Sequence, residues 1–257
     1  MKLVDSVLAG IDGLFTYLDD LLVYAPNEQR HYEILEEIFQ RLKENGLAIK
    51  LSKCEFGQKS VEYLGYQVSE SGISPLKRKI SAIVDLKPPQ SQKDLLHFLG
   101  ALGYYRTSLK GLRVGGRYHN PAEILQVLFN LATCKLPPKL KLQEVWAQNP
   151  KIQEAFNNAK KMLENSVMLT HPDPKAKLAL CTDSSDFAIG GVLEQLGQDG
   201  VWRPLSFFSR HLSPDKQKWS TYRKELYACV QALRYFLPDF YGRHITIFSD
   251  HMPLTKS

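Results

Sequence analysis

Two sets of carboxylates in this chain have the type and placement to do chemistry. The first is the adjacent pair Asp19 and Asp20, set in Tyr-Leu-Asp-Asp-Leu-Leu-Val. Neighbouring carboxylates repel, and a bound cation relieves that repulsion. Their hard oxygens suit Mg²⁺, which takes one or two carboxylates together with substrate phosphates. A bare Asp-Asp is also an ordinary acidic turn, but the strand-forming residues on both sides favour the metal. The second set is Asp183, Glu225 and Asp250. Asp183 and Asp250 each end an apolar run that reads as a strand, and Glu225 falls on the helical run between them. With Tyr222, Leu226, Cys229 and Leu233 as that helix's apolar face, Glu225 lies on it by i+3 and i+4 spacing. A carboxylate facing a core is costly unless something satisfies it. A cation shared with Asp183 and Asp250 would do so, and so would a salt bridge to Arg210 or Arg223. Three acids at the ends of separate elements can converge on a two-metal phosphodiester site.

The elements that must position these groups follow from periodicity. A short helical stretch near Val4–Leu8 precedes a strand–turn–strand over Leu14–Tyr24, with the acidic pair at its tip. Asn27 is an N-cap for a helix whose Leu35, Ile38, Phe39 and Leu42 repeat at helical spacing and which Gly46 closes. Strands are predicted near Ala48–Leu51 and Val61–Val68. Ser74-Pro75 predicts one helix start and Ser91 with Asp94 another. Further helices are expected near Ala122–Ala132 and Pro150–Leu163. The last block reads as strands at Leu178–Cys181, Ala188–Leu193 and Trp202–Ser209, then a helix from Trp219 to Leu237 stopped by Pro238. A strand at Ile245–Ser249 follows, and Pro253 reads as the first turn of another helix. The fold class is therefore mixed α/β (α+β).

Composition narrows the function classes. The 257 residues are 44% hydrophobic and 23% charged, which excludes collagen-like and low-complexity chains. At roughly 100–200 residues per domain the length suggests about two domains. No apolar run approaches the ~20 residues of a membrane helix, and the N-terminus lacks a signal-peptide pattern. Cys54, Cys134, Cys181 and Cys229 show no CxxC spacing, so neither zinc nor a disulfide framework is signalled. The net charge of +6 is uneven: residues 1–72 carry 7 basic and 12 acidic side chains, and residues 73–150 carry 12 and 4. That basic block, a net +8, suits a polyanion surface or a solvated basic face.

Six stretches make the chain recognisable: YLDDLLVYAPNEQRH, KCEFGQKSVEYLGYQVSESGISP, FLGALGYYR, HPDPKAKLALCTDSSDFAIGGVLEQ, RPLSFFSRHLSPDKQKWSTYRKELYA and FSDHMPLT. Together they resemble the Pol polyprotein of gypsy-like LTR retrotransposons, from inside the reverse transcriptase palm into the RNase H domain. The resemblance implies a partial palm over residues 1–72, a helical thumb over 73–112, a connection over 113–170 and a partial RNase H-like mixed sheet with helices over 171–257. It makes Asp19 and Asp20 polymerase metal ligands, with Tyr17 beside the primer terminus. It places Leu64, Gly65 and Tyr66 at the primer grip and gives Asp183, Glu225 and Asp250 the RNase H metals, Mg²⁺ or Mn²⁺. Lys77, Arg78, Lys79, Lys87, Lys110, Arg113 and Arg117 become candidate contacts to nucleic acid. Tyr104 and Tyr105 read as base-stacking or core residues, and Asp186 as a turn or cap.

The implied activities are RNA-directed DNA polymerisation and metal-dependent hydrolysis of RNA in RNA–DNA hybrids. The implied partners are primer-template and hybrid, with dNTP only if the missing palm and fingers are supplied, and with no membrane. The implied location is intracellular, in the cytoplasm, a virus-like particle or the nucleus. Two departures stand out. The family's polymerase takes another aspartate from an upstream strand, which Asp12 in Ile-Asp-Gly does not replace. Its nuclease takes a fourth carboxylate from beyond the last residue here. Both sites are expected to be incomplete and the chain alone weakly active or inactive. The competing readings are a non-catalytic nucleic-acid-binding fragment and a transposon remnant.

Overall fold

The computed structural model describes residues 2–114, 117–136 and 141–249. The chain divides into two compact units, residues 1–63 and 64–257.

In the first unit, α1 (Lys2–Val7) leads into an antiparallel hairpin of β1 (Leu14–Tyr17) and β2 (Asp20–Val23). Helix α2 (Glu28–Glu44) starts at Asn27, whose side chain accepts the Arg30 N–H, and ends before Gly46 at φ 68°. Start and stop are the predicted ones, a side-chain cap and a left-handed glycine. Ile34, Ile38 and Leu42 share one face of α2 and bury against Leu8 and Ile11. The strand predicted near Ala48–Leu51 is not formed: Leu51–Lys53 is a short 3-10 turn and Leu51 is exposed. Alternating residues fit a pleat, but a strand needs a partner to bond, and these residues have none in the described sheets. Strand β3 (Ser60–Tyr63) ends the unit.

The second unit opens with a hairpin of β4 (Tyr66–Ser69) and β5 (Gly72–Pro75). The single strand predicted over Val61–Val68 is broken because Leu64 and Gly65 both take positive φ, 46° and 80°. The helix expected from Ser74-Pro75 begins later, as α3 (Lys77–Val84) with Leu76 at its N-cap. Pro75 is held in β5 opposite Tyr66, and Ile73 exchanges both backbone bonds with Leu169, at 2.7 and 2.8 Å. Pairing with a distant segment overrode the local capping signal. Helix α4 (Gln92–Tyr104) does start at the predicted Ser91, with the full reciprocal box to Asp94. A short hairpin, β6 (Leu112–Val114) and β7 (Arg117–His119), precedes α5 (Pro121–Thr133), α6 (Leu142–Gln148) and α7 (Pro150–Glu164). Neither that hairpin nor α6 was anticipated. The helices close on a core that includes Leu95, Phe98, Leu128, Trp146, Phe156 and Met162.

The rest is a sheet of β8 (Leu178–Ser184), β9 (Ala188–Leu196), β10 (Trp202–His211) and β11 (Ile245–Phe248), in the order β10-β9-β8-β11. The first three are antiparallel, and β11 runs parallel to β8. The connection from β10 to β11 is α8 (Pro214–Gln217) and α9 (Thr221–Phe240). Helix α9 lies on one face, with a core of Leu180, Ile189, Phe208, Ala228, Ala232 and Phe236. Gly191 permits this approach, since a Cβ there would stand 3.2 Å from that of Ala232. Pro238 does not stop α9. It lies in the last turn and costs one backbone bond, which burial of Phe236 and Phe240 offsets. Pro253 and Asp250 lie outside the described residues.

Candidate active site

The hairpin site is set by backbone geometry. Tyr17 pairs with Asp20, so Leu18 and Asp19 form a two-residue loop. Leu18 sits at φ 56°, a left-handed conformation that is uncommon for a residue with a branched side chain. The turn carries Asp19 and Asp20 into solvent, both exposed. Gly13 lets the hairpin close: at φ 93° its missing Cβ would meet Tyr24 O and Ile34 Cδ1, each at 2.6 Å. Tyr63 backs the pair. Its hydroxyl donates to the Asp20 carbonyl at 3.2 Å, and its ring meets Phe15 edge-on at 6.0 Å. Burial, aided by the Asp20 charge, pushes the Tyr63 phenol up to about 12.

In the second unit, the turn at Leu64 and Gly65 is held from below by two tyrosines. Tyr104 donates its hydroxyl to Leu64 O, and Tyr105 donates to Gly65 O at 3.4 Å. Tyr66 in turn donates to Tyr104 O at 3.1 Å, and the three rings lie within 5.0–5.7 Å of one another. Tyr105 is buried, so its role is packing, whereas Tyr104 is half exposed. The Gly65 carbonyl also accepts the Leu76 N–H at 3.1 Å. That bond ties the turn to the start of α3, where Lys77, Arg78 and Lys79 are exposed and no side chain caps the helix. Three cations at the positive end of a helix oppose its dipole and leave a strongly electropositive end. Lys87, Lys110 and Arg113 are exposed as well, and Arg117 opens β7.

The strand-end site is built by packing. Asp183, Gly190 and Ser209 are cross-strand neighbours in one row of β8, β9 and β10. Glu225 projects from α9 and is only 4% exposed. Its Oε1 accepts both the Ser184 N–H, at 3.1 Å, and the Ser184 hydroxyl, at 2.6 Å. Glu225 is thus fastened to the residue next to Asp183. The two candidate arginines are placed elsewhere: Arg210 donates to Gln231 Oε1 at 2.5 Å, and Arg223 is exposed. The buried residues of α9 are Lys224, Glu225, Ala228, Cys229, Gln231, Ala232, Phe236 and Phe240, so Glu225 and Cys229 face the core as predicted while the predicted stripe as a whole does not. Tyr222 and Leu226 are exposed. Asp186, read as a turn or cap, pairs with the buried Lys224 at 3.2 Å. Ser184, Lys224 and Glu123 carry the positioning, and sequence reasoning missed all three. The one usable signal was a Lys beside a Glu on a stripe destined for the core.

These residues suit an oxygen-seeking divalent cation. The donors are carboxylates, and a buried Glu225 is tolerable where Ser184 and a cation share its charge. Among the described residues no group of three or more His, Cys, Asp or Glu is close enough to hold a metal. The third predicted ligand, Asp250, is outside that set.

Comparison with known proteins identifies the family. Residues 1–68 match the family model "Reverse transcriptase (RNA-dependent DNA polymerase)", and residues 149–247 match "RNase H-like domain found in reverse transcriptase". The Transposon Tf2-3 and Tf2-7 polyproteins of Schizosaccharomyces pombe are each 30% identical over 220 residues, 86% of this chain. The chain spans 15% of the length of these curated relatives. In fold it matches the foamy viral protease-reverse transcriptase solved with dsDNA, at TM-score 0.79 and 20% identity over 99% of this chain and 50% of that one. The same protein solved with RNA/DNA hybrid gives 0.77 at 21% identity, over 99% of this chain and 33% of that one. The chain therefore belongs to the reverse transcriptase and RNase H-like region of gypsy-like LTR retrotransposon polyproteins.

Proposed function

We propose that the chain supplies metal-dependent hydrolysis of the RNA strand in RNA–DNA hybrids, as part of a longer reverse transcriptase. The observation that carries this is the buried Glu225 fastened through Ser184 to the strand end bearing Asp183. Asp183 and Glu225, with Asp250, would hold Mg²⁺ or Mn²⁺. Such ions, when bound, activate water and stabilise the leaving oxygen of a phosphodiester. The protein's own part is to fix Glu225 before substrate arrives and to carry Asp183 at an exposed strand end.

The same reading assigns residues 1–72 to the palm, 73–112 to the thumb, 113–170 to a connection and 171–257 to the nuclease domain. Asp19 and Asp20 serve as polymerase metal ligands and Tyr17 lies at the primer terminus. Leu64, Gly65 and Tyr66 grip the primer strand. The basic first turn of α3, tied to Gly65, meets the duplex backbone, with Lys87, Lys110, Arg113 and Arg117. Primer-template and hybrid are the partners, with dNTP only if the missing palm and fingers are supplied. The site of action is intracellular. No helix among the described residues is long and apolar enough to cross a membrane.

The test is cleavage of an end-labelled RNA–DNA hybrid in Mg²⁺ or Mn²⁺ by the wild type beside Asp183→Asn. Metal-dependent cleavage lost in the variant is the expected result, and its absence from well-folded wild type would sink the nuclease reading. The exposed cations at the uncapped α3 favour one alternative, binding without cleavage. That alternative predicts hybrid affinity that falls steeply with salt and is untouched by Asp183→Asn.

A further inference from the structure

We infer that helix α5, which precedes the matched RNase H-like segment, is part of the scaffold of the nuclease centre, with Glu123 as its positioning residue. The inference rests on the nuclease reading above. The residues following Asp183 are held one by one from alternate faces of the sheet. Ser184 is bonded to Glu225 of α9, and Asp186 to Lys224 of α9. Between them, Ser185 faces α5: its hydroxyl lies 3.4 Å from Glu123 Oε2 and 3.3 Å from the Ala188 carbonyl, sharing its one proton between them. The Ser185 oxygen in turn accepts the Phe187 and Ala188 N–H groups, at 3.2 and 3.0 Å. Glu123 is itself oriented by His119, whose Nδ1 lies 3.3 Å from Oε1.

Two further contacts place α5 and its neighbours on the Asp183 row. Asn120, the N-cap of α5, lies directly over Gly190, the cross-strand partner of Asp183; a Cβ on Gly190 would stand 2.3 Å from Asn120 Nδ2. Arg106 donates to the carbonyl of Ser209, the other partner of Gly190, at 2.5 Å, and its guanidinium covers the Tyr235 ring of α9 at 5.9 Å. Arg106 follows directly on Tyr104 and Tyr105, which hold the Leu64–Gly65 turn. The strand end carrying Asp183 is therefore gripped between α9 on one face and α5 on the other. Arg106, Asn120 and Glu123 all precede residue 149, where the RNase H-like match begins. A carboxylate that must meet a metal within a few tenths of an ångström needs its backbone fixed, and outer contacts of this kind commonly change affinity or activity 10–100-fold.

The experiment uses the full chain and two readouts, hydrogen exchange of the Ser184–Ala188 amides and steady-state hybrid cleavage in Mn²⁺. Glu123→Ala is expected to speed exchange at the turn about tenfold and to lower kcat about tenfold with KM for hybrid unchanged. Glu123→Gln keeps an oxygen for the Ser185 hydroxyl and is expected to restore both. Gly190→Ala, which lifts Asn120 off the sheet, should imitate Glu123→Ala by a different lesion. Unchanged exchange at the turn in both Glu123→Ala and Gly190→Ala, or an equal rise across β8, β9 and β10, would overturn the inference. So would Glu123→Gln behaving like Glu123→Ala. A loosened turn in a chain whose wild type cleaves no hybrid would support the clamp and overturn the nuclease reading instead.

Discussion

The two acidic sites are built by opposite means. Asp19 and Asp20 stand in solvent on a two-residue loop whose shape comes from backbone alone: a left-handed Leu18, a Gly13 that admits Tyr24 and Ile34, and one bond from Tyr63. Glu225 is buried in the packing of α9 on its sheet, and Ser184 and Lys224 fasten the strand end beside Asp183 to that helix. An exposed pair of carboxylates is cheap to maintain and loosely held. A buried carboxylate is costly and well oriented. The hairpin carboxylates are therefore loosely held, while Glu225 is oriented by the fold itself.

The sharpest way to break this contrast is Glu225→Gln. It keeps the acceptor for Ser184 and removes a buried charge. Hybrid cleavage should vanish while thermal unfolding moves upward, by about 2–4 °C for each kcal/mol gained in a chain of this size. A fall in Tm would show that the charge stabilises the fold and that the site is not strained for function. Ser184→Ala leaves both carboxylates and removes one donor. Cleavage should drop 10–100-fold with an unchanged optimum for metal type, and a loss under twofold would refute the pin.

In the hairpin, the effects should appear in stability. Gly13→Ala pushes a Cβ into Tyr24 O and Ile34 at a left-handed φ, which should destabilise the first unit by about 2–4 kcal/mol in urea unfolding. Near-neutral behaviour would mean the hairpin is not held by that contact. A milder effect is expected at high pH. The folded Tyr63 phenol, near 12, lies above the ordinary value of 10.0, so the folded state holds this proton more tightly. Its contribution is present below pH 10 and fades as pH rises through about 12. Burial likewise pushes Tyr66 in the second unit up to about 12, against a lowering hydrogen bond from Thr107. Absorbance titration at alkaline pH should show Asp20→Asn advancing the Tyr63 ionisation and leaving that of Tyr66 in place. Equal shifts of both would contradict the local cause. The smallest effect belongs to Leu18→Gly, where relief of left-handed strain, about 1 kcal/mol, nearly cancels the entropy lost by a more flexible unfolded chain.

Much of the second unit's architecture was legible because its signals are local. Ser91 and Asp94 lie three residues apart and cap α4 as read. The strands β8, β9 and β10 fall where the apolar runs do, with the turn at Gly197–Gly200 between the last two. Where the reading failed, a distant segment had decided the outcome. Ala48–Leu51 lacks a strand to pair with, and Ile73 bonds Leu169, almost a hundred positions away, at the cost of the Ser74 cap. Helix α9 carries two apolar stripes, and its sequence does not say which one is buried. Packing on the sheet, where Gly191 leaves room for Ala232, buries Glu225 as read and leaves Tyr222 and Leu226 outside.

By itself, then, the sequence determined which residue types could hold a cation and which elements carry them, because caps, periodicity and turn glycines act over a few residues. It also determined kinship, because six motifs stand in the family's order. Only the tertiary structure decided that Ser184 fastens Glu225, that Lys224 holds Asp186, and that Glu123 reaches Ser185 from a helix some sixty positions earlier. Those contacts join residues whose separation along the chain is large and irregular. Each forms only because two independently specified elements pack at one register, and no local rule reports that register in advance.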